Sequence, residues 1–311
     1  MRYAKCKGIE KDWSVITLGC WQIAPSEGWG DICSPQSADA VVKSALDCGI
    51  TAFDTAEGYG DGESERRLGK ALGNKKHDVI VISKIWPDAT MTQTAYHERL
   101  DNTLRALDRD YVDVYLVHFP SAYFDSLEKS EQLCQLMQDL KQSGKAVTVG
   151  LSNFKSHDLT LLGQGTKHFC INQVPYNILR RDYEGKTRNL CNKTGIGYMA
   201  YSPTAQGLLA GRLSSEARSF PTRKWNNLYQ EPLFTKSKPV RDAINNIAKE
   251  TQTKPIAVAL AWVLEQENIL TAIVGSRKAV QVPEFAAASS LQLSANHLRQ
   301  LNTASDSFHN E

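Results

Sequence analysis

Four side chains able to hold or move a proton stand where short apolar runs of this chain end. Asp54 closes Thr51-Ala52-Phe53-Asp54, Lys84 closes the run that begins at Val79, and His118 closes Val114-Tyr115-Leu116-Val117-His118. Tyr59 follows Asp54 in a glycine-rich turn. A carboxylate, an ammonium, a phenol and an imidazole together suit general-acid chemistry: a cation beside a phenol favours its anion and makes it a better proton donor to an oxygen that is gaining charge. A lone charge buried in such runs costs on the order of several kcal/mol, and Asp54 and Lys84 would offset one another. Taken singly, each residue has a plain structural reading: a loop cap, a surface aromatic, a solvated lysine, a satisfied core histidine. Together they say more, because successive strand–helix units would place them at the same end of one sheet.

The elements that must do this placing are legible as alternation. Short apolar segments at Ile16–Trp21, Thr51–Thr55, Val79–Ile85, Val112–Phe119, Ala146–Leu151, Phe169–Val174, Gly197–Tyr201 and Leu270–Val274 are continuous enough for parallel strands buried on both faces. Amphipathic stretches lie between them: Ala38, Val41, Val42, Ala45 and Leu46 share one helical face behind Ser34 as N-cap and Pro35 at the first helical position. The same period recurs in Tyr96–Leu107, Leu133–Leu140 and Ile256–Leu264. Eight strands with helices between them predict an α/β fold, a (β/α)8 TIM barrel over one domain of residues 1–311, with an extra helix at Val240–Lys249 and a long loop at about 214–239 before the last unit. The segment from about Ala295 to Glu311 reads as a C-terminal tail. A doubly wound sheet would need a glycine fingerprint after its first strand, and Thr17-Leu18-Gly19-Cys20-Trp21-Gln22 is not one. Gly195-x-Gly197-x-x-Ala200 matches that pattern as text but runs into a strand instead of following one.

In a barrel, chemistry gathers at the C-terminal ends of the strands. The stretch Phe53-Asp54-Thr55-Ala56-Glu57-Gly58-Tyr59-Gly60-Asp61-Gly62-Glu63-Ser64-Glu65, with Leu68-Gly69, closely resembles the signature of the aldo-keto reductases around their catalytic aspartate and tyrosine. Further motifs of that family follow in the same order. Ser83-Lys84 resembles the lysine strand and Val117-His118-Phe119-Pro120 the histidine segment. Gly150-Leu151-Ser152-Asn153-Phe154 and Gln173-Val174-Pro175-Tyr176-Asn177 resemble the contacts to the nicotinamide carboxamide. Tyr201-Ser202-Pro203 with Gln206-Gly207-Leu208-Leu209 resembles the ring-stacking segment, and Ile273-Val274-Gly275-Ser276-Arg277 the phosphate-binding turn.

The resemblance, over about residues 14 to 288, implies an NADPH-dependent carbonyl reductase acting on aldehydes and ketones. Tyr59 would be the general acid, with its pKa lowered by Lys84; Asp54 would hold Lys84, and His118 would polarise the carbonyl. Ser152, Asn153, Gln173, Tyr201, Ser202, Pro203, Gln206 and Leu208 would meet the nicotinamide half of NADP. Gly275, Ser276, Arg277, Lys278, Gln281 and Glu284 would meet the phosphate and adenine, and two cations beside a small hydroxyl favour NADP over NAD. The chain departs from the family at Phe285, where asparagine is expected, and at Gln281, where some relatives carry arginine. Trp21, Trp86, Phe119 and Tyr123 would wall a small, partly apolar substrate pocket, with Trp225 in the long loop beside it. Potassium-channel β-subunits resemble the same family, so a cofactor-sensing binding module with slow turnover is the alternative.

Other classes fare poorly. Thirty-six Lys plus Arg against 34 Asp plus Glu, a formal charge of +2, is too balanced for non-specific nucleic-acid binding. No G-x-S-x-G turn, H-E-x-x-H motif or short histidine spacing points to a hydrolase or a metal. Seven cysteines without a C-x-x-C pair fit a reducing compartment, and no apolar run has the length of a membrane span or leader, so the expected location is the cytoplasm. The resemblance implies a monomer.

Overall fold

The structure, a computed structural model, describes residues 1–26, 28, 32–120, 124–211, 213 and 218–309. Its centre is a closed barrel of eight parallel strands: β3 (Ile16–Gly19), β4 (Ala52–Asp54), β5 (Ile80–Ile85), β6 (Val112–Val117), β7 (Ala146–Ser152), β8 (Phe169–Pro175), β9 (Gly197–Tyr201) and β10 (Ile269–Gly275), with β10 pairing back onto β3. All eight expected strands are present. Successive strand residues face opposite sides, and this sorts the apolar positions into two cores. Ala52, Ile80, Ile82, Val114, Leu116, Ile171 and Met199 fill the barrel, while Phe53, Val81, Tyr115 and Val149 pack outward under the helices. Two residues further along the inward rows come Asp54, Lys84, His118 and Gln173. The period that packs the barrel therefore delivers these polar groups to its mouth.

Residues before Val15 form an antiparallel hairpin, β1 (Tyr3–Cys6) and β2 (Ile9–Ser14), which the sequence reading had not assigned. It closes the opposite end. Trp13 is fully buried among the inward-facing barrel residues and donates from Nε1 to Thr17 at 3.1 Å. Lys11 Nζ reaches the carbonyl of Val79 and Asp113 Oδ1, both at 2.8 Å, at the starts of β5 and β6.

Outside the barrel lie α1 (Pro35–Asp47), α2 (Glu63–Leu72), α3 (Gln93–Leu107), α4 (Leu127–Gln142), α5 (Ser156–Leu162) and α6 (Lys186–Thr194). Ser34 caps α1 as expected, accepting from the Ser37 backbone. Gly195 ends α6 in the left-handed conformation and Gly197 opens β9, so that glycine pair serves a helix stop, not a phosphate turn. The extra helix α7 spans Lys238–Glu250, followed by α8 (Pro255–Leu264) and the short α9 (Val282–Ala286). The long loop before the last unit and the C-terminal segment each carry local helix. The long loop carries helical turns at Pro221–Lys224, Asn227–Tyr229 and Leu233–Lys236. The tail is a long helix, α10 (Ala295–His309), held by Trp262 Nε1 donating to Asn302 at 2.7 Å and Ser305 Oγ to the Ile178 carbonyl at 2.7 Å. Among the described residues no helix is long and apolar enough to cross a membrane.

One glycine of the signature is explained by packing alone. A Cβ at Gly69 would collide with the carbonyl of Leu107, where α2 crosses the end of α3. Alanine is the better helix former by about 1 kcal/mol, but overpacking against rigid backbone costs about 1–3 kcal/mol. Gly69→Ala is therefore expected to lower Tm by a few degrees in a thermal melt, and an unchanged or raised Tm would show that the helices can part at no cost.

Candidate active site

At the mouth, the inward rows and the loops after them bring all four expected residues together. Lys84 Nζ donates to Asp54 Oδ2 at 2.9 Å, to the Thr55 carbonyl at 2.7 Å and to the Tyr59 hydroxyl at 3.2 Å. The ammonium also lies 4.8 Å from the Tyr59 ring centroid. Gln173 Nε2 donates to the other oxygen of Asp54 at 2.7 Å, so the carboxylate is held from two sides. The His118 ring stands edge-on to Tyr59 with centroids 5.7 Å apart. Lys84 and Asp54 are fully or almost fully buried. Tyr59 is half-buried, with its hydroxyl against Lys84.

Burial and charge compete here. Burial opposes the Lys84 ammonium, yet the Asp54 charge and Tyr59 outweigh it and raise the lysine pKa, so the ammonium keeps its charge near neutrality. Burial also pushes Asp54 upward against the pull of Lys84. For Tyr59 the direction corrects the sequence reading: burial is the larger effect and raises the phenol, while Lys84 pulls down with less weight. The phenol is thereby held protonated near neutrality. Burial and then Lys84 bring His118 down to about 2, leaving a neutral imidazole with one N–H to donate. Its Nδ1 is buried without a protein partner.

Aromatic side chains surround this cluster. Trp21 stacks on Tyr59 with centroids 6.0 Å apart; Trp86 meets His118 edge-on at 4.9 Å, and Phe119 stacks against His118 at 4.9 Å. Each of these three is 36–39% exposed, as pocket walls require. Trp86 is fixed through a residue quoted in the signature but given no role: Glu57 accepts from the Trp86 backbone N–H and from both Nε and Nη2 of Arg99. Tyr123 lies outside the described residues. Trp225 is 87% exposed on its helical turn.

The residues expected to meet a dinucleotide form a second connected group. Asn153 Nδ2 donates to the His118 carbonyl and to Ser152 Oγ, both at 3.0 Å, and Asn153 Oδ1 accepts from the Tyr201 hydroxyl at 2.8 Å. Asn153, Ser202, Ala205 and Gln206 all adopt positive φ, a costly backbone state that gathers at functional sites. Gln206 is tied down by Asn226 Nδ2 on its side-chain oxygen and by Arg223 Nε on its carbonyl, and Leu208 is buried beneath. Pro203 lies between Ser202 and this strained turn. After β10, a side chain at Gly275 would overlap Gln22, a neighbour that the sequence did not reveal. Ser276 Oγ pairs with Gln281 at 2.7 Å and accepts from the Lys278 backbone at 3.1 Å, which shapes a tight turn carrying Arg277 and Lys278. Arg277 lies over the Phe220 ring at 5.8 Å. Phe285 is buried, so only the half-buried Glu284 of that pair faces outward. A cation-bearing turn, an amide–tyrosine network and a strained loop converging on one mouth have the chemistry a nicotinamide dinucleotide needs.

Behind Lys84, Ser83 Oγ donates at 2.6 Å to Glu65 of α2, a carboxyl 1% exposed whose pKa burial raises to about 7. A carboxyl raised on folding contributes stability that is whole below its unfolded pKa and lost as pH rises through the folded value. Between about pH 4.5 and 7 the loss is about 3 kcal/mol. Glu65→Gln keeps an acceptor for Ser83 and removes the titration. Its stability relative to wild type should improve by up to that amount as urea melts move from pH 5 to pH 7.5, and parallel pH curves for the two proteins would exclude this origin.

A buried lysine–aspartate pair under a tyrosine, with a neutral histidine alongside at the mouth of a (β/α)8 barrel, is an arrangement suited to a barrel oxidoreductase. The Aldo/keto reductase family model matches residues 15–306, and the chain belongs to that family. It is 32% identical over 315 residues to an uncharacterised oxidoreductase of Mycobacterium tuberculosis, covering 99% of this chain and 94% of that one. It is 27% identical over 303 residues to the NADH-specific methylglyoxal reductase of Escherichia coli K12, covering 90% and 91%. The crystal structure of an aldo-keto reductase from Klebsiella pneumoniae in complex with NADPH superposes with a TM-score of 0.77 at 28% identity, covering 97% of this chain and 95% of that one.

Proposed function

We propose that this chain is an NADPH-dependent carbonyl reductase for small aldehydes and ketones, with Tyr59 as proton donor. The observation that carries the reading is the Tyr59 hydroxyl held 3.2 Å from the Lys84 ammonium, which Asp54 anchors in turn. When bound, the nicotinamide supplies hydride to the carbonyl carbon. Ser152, Asn153 and Gln173 would hold its carboxamide and Tyr201 would lie along the ring. Ser202, Pro203, Gln206 and Leu208 would line the passage to the phosphates. Gly275, Ser276, Arg277 and Lys278 would bind phosphate, with Gln281 and Glu284 beside the adenine.

The protein's own residues then act on the substrate oxygen. The neutral imidazole of His118 donates its N–H to the carbonyl, orienting and polarising it. As charge builds on that oxygen, Tyr59 releases its proton to it, and Lys84 stabilises the phenolate left behind. Gln173 and the Thr55 carbonyl fix Asp54 and Lys84, so little reorganisation accompanies the step. Trp21, Trp86 and Phe119 exclude water and favour short, weakly polar substrates.

The test is oxidation of NADPH and of NADH, followed by absorbance, against α-ketoaldehydes, simple aldehydes, ketones and sugars. Turnover with NADPH exceeding that with NADH supports the proposal. Because one relative is named for NADH specificity, faster turnover with NADH would overturn the cofactor assignment alone. Tight NADPH binding without turnover of any carbonyl would overturn the enzyme reading in favour of a cofactor-sensing module.

A further inference from the structure

Trp86 is held at the mouth by contacts that the proton-transfer step does not use. Glu57 lies in the loop after β4, between Asp54 and Tyr59; Trp86 and Asp88 follow β5, and Arg99 stands in α3. Arg99 grips Glu57 with two parallel bonds, Nε to Oε2 at 2.8 Å and Nη2 to Oε1 at 2.6 Å, and its Nη1 lies 3.1 Å from Asp88 Oδ1. One guanidinium thus ties the two loops together, with the side chains of Arg99 and Glu57 29% and 14% exposed. A fork of this kind fixes direction as well as distance. Glu57 Oε1 also accepts from the Trp86 backbone N–H. The next residue seats the ring: a Cβ on Gly58 would stand 3.1 Å from Trp86 Cε3, so the indole lies directly on the glycine backbone. The ring also meets His118 and Phe119 edge-on, with centroids 4.9 and 5.6 Å away. Trp86 and Phe119 line a recess as well, together with Ile85, Ala89, Tyr96 and Phe124, all four buried. Its volume is about 10 Å³, enough for a single water and for no carbon chain. The same indole is therefore a wall of the substrate pocket and the closure of an apolar space beside it.

Resting on the reductase reading above, we propose that Glu57 and Arg99 are a specificity-determining positioning pair: by fixing Trp86 on Gly58 they keep this recess shut and restrict the enzyme to short carbonyl substrates. Both act through Trp86. When the fork is lost, the two loops are no longer tied and the indole can leave Gly58. The recess and the volume vacated by the ring then form an apolar subsite for the tail of a longer aldehyde. Each methylene that leaves water there favours the longer substrate, and pocket contacts of this kind set selectivity between homologues.

The test compares kcat and KM for propanal and hexanal, at saturating reduced nicotinamide, in wild type, Arg99→Met, Trp86→Ala and the double variant. Wild type should prefer propanal. Arg99→Met should raise the hexanal-to-propanal ratio of kcat/KM by about tenfold or more, through a lower KM for hexanal. Trp86→Ala should raise the ratio at least as much, and adding Arg99→Met to it should change the ratio by less than about twofold, because the ion pair then has no indole to hold. Arg99→Lys keeps the charge without the fork and should fall between wild type and Arg99→Met. A wild type that prefers hexanal, an unchanged ratio in Arg99→Met, or additive effects in the double variant would each overturn the proposal. A kcat lost equally on both aldehydes would overturn it too, by assigning the pair to the Tyr59 loop. If Arg99→Met fails to fold, Arg99→Lys and Trp86→Ala decide, since an unchanged ratio in either has the same force. A wild type that reduces no carbonyl overturns the reductase reading and this proposal with it, whereas an active wild type whose preference survives in Arg99→Met overturns this proposal alone.

Discussion

Replacing Tyr59 with phenylalanine is expected to lower kcat for aldehyde reduction by about 10²–10⁴, while NADPH affinity stays within about twofold. The substitution removes one oxygen. The ring keeps its stack on Trp21 and its edge contact with His118, so the pocket wall survives. What disappears is the hydroxyl beside Lys84. The loss is about 3–5 kcal/mol of barrier, the whole of the proton-transfer contribution, with catalysis from positioning and from His118 left in place. Because burial keeps the phenol protonated, wild-type turnover should be flat across neutral pH, and a single-turnover assay with bound NADPH isolates the step. Near-normal turnover in Tyr59→Phe would remove Tyr59 from the mechanism. Equal loss of turnover and of NADPH binding would assign it to the cofactor site instead.

Lys84→Met is expected to be as damaging to turnover and also to destabilise the fold. Among the described residues its ammonium is the one cation hydrogen-bonded to Asp54, and both groups are buried. Removing one partner of such a pair leaves an uncompensated charge and costs about 3–5 kcal/mol. Methionine fills a similar volume, so packing contributes little to that figure. The double variant Lys84→Met with Asp54→Leu separates the two effects, since an apolar pair of similar volume is often no less stable than the ion pair it replaces. Urea melts should show the double variant recovering most of the lost stability, and turnover should stay as low as in the single variant. If the double variant regained activity along with stability, Lys84 would be a scaffold residue and the proton step would need another cation.

These expectations draw on two kinds of information. The strand-end positions of Asp54, Lys84 and His118 were legible, because the two-residue alternation that hides Ile80 and Ile82 in the barrel must carry Lys84 onto the same face, and Val114 and Leu116 do the same for His118. Ser34 and Pro35 announced a helix start by local chemistry alone. The hairpin at residues 3–14 could have been found too, since its turn is Lys7-Gly8 with Gly8 at φ +81, but its strands lack the continuous apolar character by which the others were recognised. Helical turns between Pro221 and Lys236 left no such signal, since at four residues or fewer they show no period.

By itself, then, the sequence determined the barrel, its order of strands and the four groups at its mouth, because these follow from residue type and periodicity over a few neighbouring positions. Tertiary structure alone decided the sign of the Tyr59 shift, the neutral state of His118, and the anchoring of Trp86 by Glu57 and Arg99. Each of those depends on how much water is excluded and on which distant side chain fills the space, and both are properties of the packed barrel.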